Sequence, residues 1–471
     1  DQHEFGVYKQ VFLIVATSMS VLPLGVSMSA FYFLPRDGVD KGNIVLNVVL
    51  FHIVVGGAVL ALLVLDPGIL QTIFNSSEVV QYGPLIGLAI FVWTISSFLE
   101  VAVVANQETR LATIFIVGGQ FTKTLLLVAA ALSFGTVRSL AWAAVIQGTL
   151  QTVALIAYLK LRFWHNGIRF SRKVLKTQLS YAIPFGAAGL ILRVYSDLHN
   201  YFVSYRFGAA LYATYAVGCF NLPLTDILSD SIGSVTLPRV SYLQHAGRTR
   251  EIIELMARAV RKMTAACLPL YVFLLVTAKP LIGFLFTDRY LSSWPIFAVN
   301  LTMIPLAIVS TGYDPVIRAY MEHRYFLVKL RGSLAVLLIA LLWAGTTYLG
   351  LMGAILAVVG VSAIERVAVS AKVAHILGVG RKDVSLLRDV AKLAGAASIA
   401  GVITLGAEIT LGGMGRFYLL AVAGTVYATT YISAVFALGV PSEGEKRAAR
   451  QWIGLWLRAL NSKRQPALSE E

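Results

Sequence analysis

Residues 43–65 read NIVLNVVLFHIVVGGAVLALLVL, a run without Asp, Glu, Lys or Arg. An α-helix rises about 1.5 Å per residue, so about 20 apolar residues cross the ~30 Å hydrocarbon core of a membrane. Similar runs recur along the chain. We predict thirteen transmembrane spans, at 8–33, 43–65, 81–105, 111–134, 139–160, 178–203, 210–237, 262–286, 294–318, 326–348, 351–374, 390–410 and 416–439. The sequence therefore predicts an all-α, polytopic helical membrane protein.

The composition of the whole chain agrees with this fold class. Of the 471 residues, 57% are hydrophobic and only 13% are charged, with a mean hydropathy of +0.75. Soluble domains carry about 25% charged residues. Half of that fraction leaves too little polar surface to cover a water-soluble protein of this length.

The net charge of +15 is distributed unevenly between the loops. When successive loops are assigned to alternate sides, one side holds 29 of the 39 Lys and Arg and the other side six. Such asymmetry marks the cytoplasmic side of a membrane protein, where anionic lipid headgroups are further partners. The charge therefore predicts a cytoplasmic C-terminus and no nucleic-acid partner.

Two segments of the chain share a sequence pattern. Phe5-Gly6 precedes an apolar helix that ends at Leu34-Pro35-Arg36, and Phe207-Gly208 precedes one that ends at Leu237-Pro238-Arg239. Duplicated halves are common in transporters. The second copy has a helix before its Phe-Gly motif and the first has none, so we predict two six-helix lobes of which the first lacks its first helix.

The predicted organisation has five parts. They are an N-terminal transmembrane lobe (1–161), a cytoplasmic basic linker (162–177), a C-terminal transmembrane lobe (178–375), two additional transmembrane helices (376–440) and a cytoplasmic amphipathic tail (441–471). Residues 248–262 and 446–464 each carry an apolar face opposite charges, typical of a helix at the membrane surface. For 248–262, a connecting helix is the favoured alternative.

Polar side chains within apolar spans are the candidate binding residues, because an ionisable group in hydrocarbon normally faces protein or water. Lys123 is near the middle of its span, Gln120 is on the same face, and the next span contributes Gln147 and Gln151. We predict that these four line a polar cavity in the first lobe. Polar contacts between helices are the alternative.

The stretch GLILRVYSDLHNYF (189–202) places Arg193, Asp197 and Asn200 on one helical stripe. A satisfied ion pair accounts for part of this pattern, although an apolar pair would pack equally well. The guanidinium also suits a phosphate, and the Asp and Asn side chains suit sugar hydroxyls.

Three carboxylates are candidates for ion coupling. Asp226 and Asp230 are one helical turn apart and could take up protons or sodium, or pair with cytoplasmic arginines; Glu365, at mid-depth, could carry a proton. Arg36 and Arg239 end equivalent helices and could hold a phosphate at the cytoplasmic mouth or anchor the helices there. The two cysteines have no metal-type spacing, so we expect no metal and no cofactor.

Several stretches resemble one family. FGVYKQ (5–10) followed by LPLGVSMSAFYFLPR (22–36) resembles the start of lipid-linked oligosaccharide flippases, members of the multidrug/oligosaccharidyl-lipid/polysaccharide exporter superfamily. QLSYAIPFGAAGLILRVYSDLHNYFVSYRFG (178–208) resembles the helix that opens their second lobe, where an aspartate like Asp197 is frequent. Residues 215–243, 279–306 and 350–367 resemble later family segments, with Thr287 in place of a glycine in a recurrent motif.

The resemblance implies a flippase that moves an undecaprenyl-diphosphate-linked oligosaccharide from the cytoplasmic to the outer leaflet of the bacterial inner membrane. It serves O-antigen (lipopolysaccharide) or exopolysaccharide export by alternating access, as an antiporter driven by an ion gradient, with polysaccharide polymerase machinery as a further partner. No Gly-x-x-x-x-Gly-Lys-Ser/Thr loop is present.

Three other functions compete. A cation-coupled multidrug exporter of the same superfamily predicts a cavity of carboxylates and aromatics, and a peptidoglycan precursor flippase predicts a strongly cationic one. A membrane glycan polymerase or acyltransferase needs an outer catalytic loop or a His-centred acid/base site. The longest outer loop, at 66–80, contains no His, Arg or Lys, so we expect a transporter and not an enzyme.

Overall fold

The computed structural model describes residues 1–35, 40–164, 170–320, 324–441 and 444, and all regular secondary structure in them is helical. Nine helical segments in these ranges are long and apolar enough to cross a membrane: Lys41–Leu65, Gly83–Ala105, Thr109–Ser133, Val137–Arg162, Thr249–Val276, Asp288–Thr311, Tyr325–Leu377, Arg381–Thr410 and Arg416–Ala437. The all-α membrane class is confirmed, and the count of thirteen spans stays a prediction.

The helices form two compact units, the first comprising Asp1–Val217 with Leu342–Ala354. Its helices are α1 (Gln2–Val21), α2 (Ser29–Phe33), α3 (Lys41–Leu65), α4 (Ile69–Phe74), α5 (Ser77–Val80), α6 (Gly83–Ser96), α7 (Phe98–Ala105), α8 (Thr109–Ser133), α9 (Val137–Arg162) and most of α10 (Arg172–Gly218). Helix α6 packs between α3 and α9, and α8 packs on α9. Fully buried Phe98 and Leu155 belong to one core cluster, and Phe74 and Ile86 to another.

The second unit comprises Gly218–Leu341 and Ile355–Glu471. Its helices are α11 (Leu224–His245), α12 (Thr249–Val276), α13 (Ala278–Phe286), α14 (Trp294–Asn300), α15 (Met303–Thr311), α16 (Asp314–Ala319), most of α17 (Arg324–Leu377), α18 (Arg388–Thr410) and α19 (Arg416–Ala437). Helix α11 packs on α12, α15 and α16, and α12 packs on α18.

Two long helices are interrupted by glycines in left-handed backbone conformations. Gly350 (φ 59°) interrupts α17 between the predicted spans 326–348 and 351–374, and Gly208 (φ 74°) interrupts α10. A continuous α17 of 54 residues would be about 80 Å long, far more than one membrane crossing needs. Gly350 therefore divides α17 into two segments, each long enough to cross once.

The compact units divide the chain at Val217, whereas the predicted lobe boundary is the linker at 162–177. Hydrogen bonds across the first unit explain the difference. The Gln178 side chain, near the start of α10, accepts from Asn47 and donates to Ser29, at 3.0 and 3.2 Å. Further along α10, Ser204 accepts a 2.8 Å bond from Gln10.

The echoed Phe-Gly motifs lie side by side where α1 crosses α10. A Cβ added to Gly6 would lie only 1.9 Å from the carbonyl oxygen of Ala209. The α1 backbone at Gly6 is therefore in direct contact with the α10 backbone at Ala209, the residue that follows the second motif.

Residues 248–262, for which a connecting helix is the favoured prediction, form the first part of α12, which runs without interruption from Thr249 to Val276. The predicted apolar face is present on it, since Ile252, Met256 and Ala259 are buried. This face packs inward. The predicted amphipathic helix at 446–464 lies outside the described residues.

Candidate functional site

The first feature of the site is an interruption of the membrane segment predicted at 8–33. Helix α1 ends at Val21 and α2 begins at Ser29, and between them Leu24 and Gly25 have positive φ values of 44° and 72°. A Cβ on Gly186 would lie 2.0 Å from the Leu24 carbonyl oxygen. Glycine at 186 thus lets α10 approach the interruption closely.

Arg193 and Asp197 follow Gly186 on α10 and form the predicted ion pair. The Nε of Arg193 lies 2.8 Å from Oδ2 of Asp197, and the Thr17 hydroxyl on α1 donates to the same oxygen at 2.7 Å. Asp197 is buried, whereas the Arg193 side chain is 38% exposed. Its Nη groups make no hydrogen bond with any residue that the structure describes. The guanidinium therefore contacts the carboxylate through Nε, and its Nη groups are available to a ligand.

Asn200, the third residue of the stripe, is engaged within its own helix. Its Nδ2 lies 3.5 Å from Nε2 of His199, whose Nδ1 lies 2.8 Å from the Tyr215 hydroxyl. A role of Asn200 in holding sugar hydroxyls stays a prediction.

Lys123 lies against an aromatic face. Its Nζ is 4.4 Å from the centre of the Trp93 ring, within the range of a cation–π interaction, and Trp93 itself donates a 2.8 Å bond to the Ala144 carbonyl. Within the described ranges, the ammonium makes no hydrogen bond or ion pair. Lys123, on α8 and against Trp93 of α6, is thus a cation without an ionic partner among the described residues.

The three amide side chains predicted beside Lys123 differ in burial and in the groups that they contact. Gln147 is buried and donates to Gln151 at 2.8 Å, and Gln151 approaches the backbone of Gly119 on α8. Gln120 is exposed on α8. The Gln147–Gln151 bond lies within α9, whereas the approach of Gln151 to α8 fits the helix-contact alternative. A shared cavity of all four residues stays a prediction.

In the second unit, Asp226, Asp230 and Arg239 are exposed along α11. Neither aspartate pairs with an arginine in the described part of the chain. Asp230 lines a cavity of about 210 Å³ together with Asp314 and Arg318, which form an ion pair of 2.7 Å.

Glu365 is held between two arginines. Its carboxylate lies 2.8 Å from Nε of Arg331 and 3.8 Å from an Nη of Arg366, and its side chain is only 7% exposed. A proton-carrier role would require these pairs to break, so the arrangement favours a structural role.

Some partners of the predicted residues had no sequence signal. Thr17 and Trp93 are far along the chain from Asp197 and Lys123, and Arg331 is 34 residues from Glu365. Arg36 lies outside the described residues. No group of three or more metal-ligating side chains is present among those that the structure describes.

The fold is that of transporters of the MOP superfamily. The solved structure of the lipid II flippase MurJ, in an inward closed conformation, matches with a TM-score of 0.71 over 92% of both chains at 15% identity. An inward-facing multidrug resistance MATE transporter of the superfamily matches with a TM-score of 0.64 over 79% of this chain and 89% of its own, at 14% identity. A Pyrococcus furiosus transporter of the superfamily matches with a TM-score of 0.54 over 80% and 88%, also at 14% identity.

The chain belongs to the polysaccharide biosynthesis protein family, whose profile matches residues 1–295. Comparison with curated protein sequences found no significant match. The similar structures are of transporters and flippases rather than enzymes. The protein is therefore a multi-pass membrane protein with the fold of a flippase or exporter.

Proposed function

We propose that this protein moves an undecaprenyl-diphosphate-linked oligosaccharide from the cytoplasmic to the outer leaflet of the bacterial inner membrane, for O-antigen or exopolysaccharide export. The cargo joins a lipid tail to a diphosphate and sugars that cannot enter hydrocarbon unaided. A transporter must therefore supply polar groups within the membrane to replace their hydration.

The proposal rests on the contacts that Arg193 makes and on the donors that it leaves available. Its Nε is tethered to buried Asp197 while its Nη groups have no partner among the described residues. A guanidinium offers paired N–H donors that match phosphate oxygens. Arg193 is thus a preorganised phosphate donor inside an apolar segment, and Lys123 is a second cation in the same unit.

The family and the cations of the first unit support this choice over a drug exporter. A cation-coupled exporter predicts a central site of carboxylates and aromatics, and the first unit instead presents Lys123 and Arg193. A peptidoglycan precursor flippase is the second candidate, favoured by the likeness to the lipid II flippase MurJ. Both candidates handle a lipid diphosphate, and they differ in the glycan.

For ion coupling we propose Asp226. It is exposed on α11 and has no ion pair with the described residues, whereas Glu365 is clamped by Arg331 and Arg366. An unpaired carboxylate can exchange a proton or a sodium ion without breaking other contacts.

Reconstitution in liposomes tests the proposal. Fluorescent undecaprenyl-diphosphate-linked oligosaccharide and lipid II are compared, with leaflet transfer followed under an imposed proton or sodium gradient. We expect transfer of the oligosaccharide lipid, and loss of its gradient dependence in Asp226→Asn. Transfer of lipid II alone would support the second candidate, and transfer of neither lipid would refute both.

A further inference from the structure

The second unit contains a cavity of its own. It has a volume of about 210 Å³ and lies between α11, the end of α15 and the start of α16. Pockets for whole drug-sized ligands measure roughly 300–1,000 Å³. This one is therefore sized for a single small polar group rather than for a complete lipid-linked glycan.

Hydroxyl side chains line the cavity, and most of them donate their hydrogen to a backbone carbonyl group. Ser234 donates to the Ser231 carbonyl, and Ser310 and Thr311 both donate to the Ala307 carbonyl, at 2.8–3.1 Å. A hydroxyl that donates to the backbone still has oxygen lone pairs to accept with. Towards a ligand these three side chains are therefore acceptors.

The charged side chains add to this acceptor character. Asp230 has no hydrogen bond or ion pair with the described residues, and Asp314 shares its charge with Arg318. The lining thus has a net formal charge of minus one. A phosphate, which offers only acceptors, is disfavoured here, whereas a ligand rich in O–H donors is favoured.

We infer that this cavity binds a sugar ring of the cargo through its hydroxyl groups. Vicinal sugar hydroxyls can donate to Asp230 and the serines and accept from the remaining N–H groups of Arg318. Leu237 and Pro315 complete the lining with apolar surface suited to the C–H faces of a sugar. A bare cation is less suited, because Arg318 adds a positive charge and the volume exceeds what one ion fills. The inference rests on the proposed function and extends it to a sugar-binding role for the second unit.

Gly233 offers a direct way to block the cavity. It lines the cavity, and a Cβ added to it meets no atom within 4 Å. Gly233→Leu should therefore fill the space without disturbing the fold. Gly406, exposed on α18 of the same unit, has equally open surroundings and is outside the cavity lining, so Gly406→Leu is the matched control.

The experiment measures binding of two probes to the full protein in nanodiscs: undecaprenyl diphosphate carrying a tetrasaccharide, and the same lipid without sugar. We expect the unsubstituted protein and Gly406→Leu to prefer the glycosylated probe. In Gly233→Leu, affinity for that probe should fall by about tenfold, as expected for one or two lost hydrogen bonds, with the sugar-free probe unchanged. Asp230→Asn should shift the preference in the same direction.

Two results would overturn the sugar site. One is an unchanged preference in Gly233→Leu. The other is an Asp230→Asn variant that keeps the preference and instead loses sodium- or proton-dependence with both probes, which indicates a cation site. A failure of the proposed function gives a different result. The unsubstituted protein would then not transfer the lipid between leaflets, whichever probe it binds more tightly.

Discussion

The Oδ2 atom of Asp197 lies 2.8 Å from the Nε atom of Arg193, one turn earlier on the same helix. The carboxylate is buried while much of the guanidinium is exposed. The pair therefore does more than neutralise two charges. It places beside a buried carboxylate a cation whose Nη donors are available to a ligand.

Thr17→Val tests this positioning. The substitution removes the hydroxyl that donates to Asp197 at 2.7 Å and leaves both members of the ion pair in place. A hydrogen bond to a charged group contributes about 1.5–3 kcal/mol, so we expect a loss of roughly 10-fold or more in affinity for undecaprenyl diphosphate, measured in nanodiscs. Thr113→Val is the control, since that hydroxyl donates only to the carbonyl of Thr109 in its own helix. Equal affinities in the two variants would argue against a positioning role of Thr17.

Lys123→Ala should reduce transfer of the lipid-linked oligosaccharide by about tenfold, because a half-buried cation near the middle of the apolar helix α8 is lost. Trp93→Phe keeps a ring face under the ammonium and loses the bond to Ala144. It should reduce the thermal stability of the protein more than the transfer rate. Rates are compared in liposomes after insertion of each variant is verified. If Lys123→Ala transfers at the unsubstituted rate, Lys123 is not a binding residue.

Two glycines three residues apart on α10 should respond oppositely to the same substitution. In Gly186→Ala the new methyl group meets the Leu24 carbonyl oxygen at 2.0 Å, a backbone atom that cannot move aside easily, whereas in Gly189→Ala it meets nothing within 4 Å. Overpacking costs roughly 1–3 kcal/mol. We expect a lower unfolding temperature for Gly186→Ala and an unchanged or higher one for Gly189→Ala. A similar response of both variants would contradict the close approach of α10 to the interrupted helix.

A double-mutant cycle tests the structural role of Glu365. Glu365→Gln leaves Arg331 and Arg366 without their shared carboxylate and should lower the unfolding temperature. Replacing Arg331 by Met in the same chain should recover part of the loss, since an unpaired buried charge is the main cost. The gradient dependence of transfer should be the same in both variants. If the gradient dependence of transfer is lost in Glu365→Gln and in the double variant, Glu365 is the proton carrier after all.

The long apolar runs predicted the all-α membrane class correctly, because segments that face lipid are apolar in composition. The run at 43–65 corresponds to α3, Lys41–Leu65. The interruption within 8–33 was missed, although Pro23 and Gly25 are residues that commonly break helices. Apolar composition continues through the interruption, so hydropathy cannot reveal it.

The candidate site was predictable only where its partners share a helix. The spacing of Arg193 and Asp197 is enough to predict their contact. The partner of Asp197 on α1 and the partner of Lys123 on α6 depend on how the helices pack, which one sequence does not encode in any local pattern. For the same reason the two exposed aspartates of α11 could be named from the sequence, while the cavity that Asp230 shares with Asp314 could not.

The most direct test of the central claim compares leaflet transfer of undecaprenyl-diphosphate-linked oligosaccharide by the unsubstituted protein, Arg193→Lys and Arg193→Ala in the same liposomes. We predict transfer by the unsubstituted protein, a slower rate with Lys, which retains charge without the paired donors, and a loss of roughly 10- to 100-fold with Ala. Transfer by Arg193→Ala at the unsubstituted rate, with correct insertion, would contradict the account.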